Sequence, residues 1–65
     1  MEFWIARDKN DYIGLYYEEP IWGENLSGVM DWQGYFMGYF SKQSFPEVTF
    51  ENSPKKVEIK LLKKL

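Results

Sequence analysis

The chain has 65 residues, no cysteine, no histidine and a formal net charge of −2, so disulfides and zinc staples are excluded as supports for a core that is barely sufficient at this length. The same two absences remove the side chains that most often carry acid–base and nucleophilic catalysis. Five Tyr, five Phe and three Trp, each able to bury about 150–250 Å², predict one aromatic-rich core and more ring surface than a single sheet can hide.

Glu2 to Arg7 alternates in the period of a strand, with Phe3 and Ile5 on one face and Trp4 and Ala6 on the other. Asp8-Lys9-Asn10-Asp11 is a cluster of turn formers, and Tyr12-Ile13-Gly14-Leu15-Tyr16-Tyr17 behind it is rich in β-forming residues. The two runs predict a β-hairpin, in which Gly14 marks a bulge or close ring packing. Glu18-Glu19-Pro20 ends the second strand, because proline cannot donate to a ladder. From 21 to 34 three glycines interrupt any periodicity, and the segment reads as a long loop anchored by Trp22, Leu26, Val29, Met30 and Trp32.

Tyr35-Phe36-Met37-Gly38-Tyr39-Phe40 is the most apolar strand candidate and reads as central, with Tyr35, Met37 and Tyr39 on one face and Phe36 and Phe40 on the other. Large residues on both faces call for cover on both sides. Val48-Thr49-Phe50 reads as a short edge strand or extended piece, and Asn52-Ser53-Pro54 as a breaker. Val57-Glu58-Ile59-Lys60-Leu61 then alternates apolar with charged residues, as a one-sided C-terminal strand does. The rival is a helix capped by Ser53, which Lys55 and Lys56 in its first turn would oppose through the helix dipole. The expected fold is therefore mainly β: one domain over 1–65 with a small antiparallel sheet of about four strands, the alternative being α+β with a C-terminal helix.

Charge is segregated: residues 1–53 carry nine acids against three bases, and residues 54–65 five lysines against one glutamate. The lysines read as a solvated edge that guards against pairing and offsets the acidic body. Early charges at Glu2, Arg7, Asp8, Lys9 and Asp11 leave no apolar stretch for a secretory leader. The longest uncharged run, Trp32 to Ser41, has ten residues, about half the ~20 of a spanning helix. A cytoplasmic protein without membrane attachment is the expectation, in keeping with the absence of cysteine.

Little chemistry is on offer. Glu18 and Glu19, adjacent on a strand end, point to opposite faces and do not make a paired-carboxylate centre. The glycines form no phosphate loop, and Asp8, Asn10 and Asp11 are explained by the turn rather than by a metal. Neither a cofactor, nor a metal site, nor a catalytic residue is expected. A sheet bearing Tyr12, Tyr16, Tyr35 and Tyr39 beside a lysine-rich C-terminus has the outline of a single-stranded nucleic-acid binder, although the acidic body opposes phosphate.

The opening Phe3-Trp4-Ile5-Ala6-Arg7-Asp8, the central Gly34-Tyr35-Phe36, and the run Phe45 to Pro54 followed by Val57-Glu58-Ile59-Lys60-Leu61 resemble small uncharacterised proteins of gut anaerobes and their phages or mobile elements. That resemblance extends over most of the chain and brings with it no activity, cofactor or catalytic residue. It implies a cytoplasmic accessory protein that acts by binding another protein. Together with the surplus of rings, it favours a non-enzymatic interaction module, a homodimer with Trp22, Trp32, Tyr35, Met37 and Tyr39 as candidate contact residues. Nucleic-acid binding through the tyrosine face and the lysine tail is the alternative.

Overall fold

Six strands arise from these patterns: β1 (Glu2–Arg7), β2 (Ile13–Tyr16), β3 (Ile21–Glu24), β4 (Met30–Gln33), β5 (Phe36–Phe40) and β6 (Lys55–Glu58). They come from a computed structural model that describes residues 2–58. A four-stranded antiparallel sheet has the order β5-β2-β1-β6, and β3 and β4 form a second sheet of two strands. The mainly β antiparallel fold is as expected from the alternation, and the described residues contain no helix. Lys55–Glu58 is strand, paired to β1 with Phe3 opposite Val57 and Ile5 opposite Lys55. The rest of the predicted C-terminal strand, from 59 on, lies outside the described residues.

Three expectations change. The long loop over 21–34 is a hairpin, because Trp22 and Trp32 pair directly across it and Asn25 ties its turn, accepting from the Ser27 and Val29 amides through Oδ1. Residues 48–50 make no strand. They belong to a turn-rich segment, 41–54, folded across one face of the main sheet. The apolar strand β5 is an edge, since β1 and β2 hold the centre.

Strand β5 also carries a bulge. Leu15 faces Gly38 while Tyr16 faces Phe36, which leaves Met37 as the extra residue. One inserted residue reverses the alternation, so Phe36 and Tyr39 share a face with Tyr16, their rings packed in a row, edge-on and tilted, with centroids 5.7 and 4.6 Å apart.

On the other face Ile5, Ile13 and Val48 form the core, with Leu15, Phe40, Phe45 and Val57 packed around them. Phe3, Ala6, Tyr16 and Pro20 are the other buried apolar side chains among the described residues, so burial alone is a thin source of stability. Arg7 adds what they lack. Its buried guanidinium donates from Nε to the Val48 carbonyl, from Nη1 to the Asp11 and Lys42 carbonyls, and from Nη2 to the Ser44 and Phe45 carbonyls. All five N–H groups are used. A desolvated cation is thus met by carbonyl dipoles, each charge-assisted bond contributing about 1.5–3 kcal/mol. Two of the acceptors belong to residues in the left-handed backbone region, Asp11 at φ 73° and Phe45 at φ 52°. For a residue as large as Phe45 that conformation is costly, and the Arg7 bond offsets it.

Candidate interaction surface

The backbone of Arg7 extends its reach. Its amide donates to Ser53 Oγ at 2.9 Å, and its carbonyl accepts from Trp32 Nε1 at 3.0 Å. Through the second bond the β3–β4 arm is fastened to the main sheet. Trp22, Trp32 and Phe50 meet in an aromatic cluster, with centroids 5.2, 4.8 and 6.1 Å apart. Lys9 Nζ lies 5.6 Å from the Trp22 ring and 5.3 Å from the Phe50 ring. At the foot of the arm Pro20 is fully buried, and a Cβ on Gly34 would come within 3.3 Å of it. The two tryptophans are therefore occupied within the chain: half-buried, they join the arm to the 41–54 segment.

Tyr35, Met37 and Tyr39 lie together on or beside β5 and face outward, Tyr35 and Tyr39 each with 67% of their surface exposed. Among the described residues every exposed large apolar side chain falls between Tyr12 and Tyr39. Tyr12 packs on Tyr39 at 5.7 Å, Tyr39 on Phe36, and Lys42 Nζ stands 4.7 Å over the Tyr12 ring. Ile21, Leu26, Val29 and Met30 line the arm, and Leu26 at its tip is fully exposed. Phe36 escaped the sequence reading because the bulge at Met37 turns it outward from the face its spacing assigns it.

Tyr16 and Tyr12 do not form one tyrosine platform. Tyr16 is buried across Gly14, where a Cβ would lie 2.8 Å from its ring. Its hydroxyl is pushed up to about 12 by burial first and then by the Asp31 charge. Burial also raises the Asp8 carboxyl, and the neighbouring Asp31 adds to the rise. Here the arm brings one acid close to another.

The two edges of the sheet differ in chemistry. Strand β6 presents Lys55, Lys56 and Glu58, and Lys56 pairs with Glu2 at 2.9 Å while lying 5.9 Å over the Trp4 ring. Strand β5 carries no charge. No group of three or more acidic, histidine or cysteine side chains is placed to hold a metal ion among the described residues. A shallow cleft of about 630 Å³ runs between the 8–11 turn and the 46–51 segment, beside Arg7, Lys9 and Phe50. The guanidinium in its wall has no donor left for a ligand. No family model, curated protein or solved structure matches the chain.

Proposed function

We propose that the chain is a non-enzymatic protein-interaction module that pairs with a second copy through the outward side chains of β5. The observation that carries this reading is the uncharged, exposed group Tyr35, Phe36, Met37 and Tyr39 on an edge strand. Exposed apolar patches of this kind mark contact surfaces, and Tyr and Met are enriched in interface cores. Edges that must stay single are defended by charge, as β6 is by its lysines. The bulge at Met37 interrupts the ladder, so the contact uses rings more than edge hydrogen bonds. The reducing cytosol suits such a cysteine-free module.

Sedimentation velocity across the micromolar range tests the reading. Tyr39→Lys should dissociate the wild-type dimer, and a wild-type chain that stays monomeric at high micromolar concentration would rule it out. A second reading is supported by one arrangement, Tyr12 packed on Tyr39 with Lys42 above it, which offers a base a ring and a phosphate a cation. Titration with a labelled single-stranded oligonucleotide at low salt decides that case, since absence of binding under conditions that favour it ends the idea.

A further inference from the structure

The arm and the β6 side of the sheet have complementary surfaces that cannot meet within one molecule. The arm is pinned to its own chain by Pro20 and Gly34 at its foot, by the Trp32 bond to the Arg7 carbonyl, and by the inclined packing of Trp22 and Trp32 against Phe50. Its tip, Leu26 with Val29 and Met30, is nonetheless exposed. From Asn10 to Ser41 the chain carries only acids, among them Glu24, which pairs across the hairpin with Met30 just below the tip.

At the far edge of the main sheet lies a groove of about 450 Å³ whose apolar floor is Phe45 and Val57 over the buried Ile5 and Val48, with Lys55 and Glu47 on its rim. Lys55 makes no ion pair among the described residues. We infer that the apolar tip of the arm seats in this groove of a second copy, with Glu24 meeting Lys55. Burial of Leu26 supplies the affinity, and the charge pair sets the orientation. Because the arm tip and the groove are different patches, the contact is heterologous and distinct from the one at β5. It shares with the proposed function only the premise of self-association.

The absence of native cysteine makes disulfide trapping a clean test. Ser27→Cys chains, which keep Leu26, are mixed with Glu47→Cys chains under a mild oxidant, both sites being exposed. A mixture of Ser27→Cys with Asn10→Cys, on the exposed 8–11 turn, serves as the control. Seating in the groove raises the local thiol concentration, so the Ser27–Glu47 cross-link should form at least about tenfold faster than the control. Adding Lys55→Glu to the Glu47→Cys chain should remove most of that advantage. Cross-linking at the control rate would overturn the inference. Repeating the trap on a Tyr39→Lys background separates the two contacts: a persisting cross-link supports the arm contact whatever the β5 edge does, and sedimentation of Lys55→Glu, in which the arm contact is disabled, beside Lys55→Glu with Tyr39→Lys reports on β5.

Discussion

The half of the molecule gathered around Arg7 and the half made of the arm and β5 meet the same shortage of core in opposite ways. Around Arg7 the polar groups are satisfied internally, and no buried side-chain polar atom lacks a partner among the described residues. The Thr49–Asn52 turn illustrates this, each amide donating to the other residue's side-chain oxygen, at 2.8 and 3.1 Å. Across the arm and β5 the large apolar side chains other than Trp22, Trp32 and Phe40 are exposed, and the arm's charges are all acidic. A chain too short to bury all its rings has closed one half with a polar network and left rings of the other half exposed.

The largest effect should come from breaking the closed half. Arg7→Leu leaves five carbonyls without their donor, each at a cost of about 1–3 kcal/mol where it is buried. Set against the ~5–15 kcal/mol that small domains possess, this predicts loss of cooperative thermal unfolding by circular dichroism. Arg7→Lys should also be severely destabilised, because one ammonium cannot span the fork of acceptors. A variant that melts like the wild type would mean the network is incidental.

This network is the part of the fold least legible in the sequence. Arg7 reads there as the polar end of a strand, and four of its five acceptors lie more than thirty positions away in a segment without periodicity. The β1–β2 hairpin was legible because its signals are local: alternation, turn residues, alternation. Its turn closes as that pattern implies, with the Asp8 amide donating to the Tyr12 carbonyl at 2.8 Å. The arm had a readable signal too, the Asn25-Leu26-Ser27-Gly28 turn between symmetrically spaced tryptophans, but Gly23 and Gly34 obscured the alternation. Tyr35, Met37 and Tyr39 are exposed, where large residues on both faces of the strand call for cover, and Trp22 and Trp32 are half-buried against Phe50, a contact between distant segments that no local spacing announces.

Intermediate effects should arise where the halves join. Gly14→Ala sets a Cβ 2.8 Å from the ring of Tyr16, which already packs edge-on against Phe36. Overpacking of this kind costs about 1–3 kcal/mol, to be read from the midpoint of urea unfolding. Trp32→Phe keeps a ring in the cluster but removes the hydrogen bond to the Arg7 carbonyl, a loss of about 1 kcal/mol. It should loosen the arm more than the sheet, as faster amide exchange in β3 and β4 would reveal.

A smaller effect concerns the acids at the same junction. The Asp8 carboxyl titrates above its ordinary 3.8, chiefly through burial, with Asp31 adding to the rise. Its protonated form is favoured in the fold, so this contribution to stability is complete below 3.8 and is lost as pH rises through the folded value. Asp8→Asn should accordingly raise the melting temperature at pH 7 and leave it nearly unchanged at pH 3. A variant less stable at pH 7 would mean the carboxylate is held favourably after all.

Smallest in its effect on folding, and most informative about function, is a charge placed on the open half. Tyr39→Lys changes a side chain with most of its surface exposed but gives up ring contacts with Tyr12 and Phe36, and should lower monomer stability by about 0.5–1 kcal/mol. Sedimentation of the full chain beside this variant measures what the open half is for. At high micromolar concentration the wild-type chain should sediment as a species of at least twice the 7.8 kDa monomer, and Tyr39→Lys as a smaller one. A wild-type chain that sediments at 7.8 kDa throughout, indistinguishable from the variant, would contradict the proposed contact.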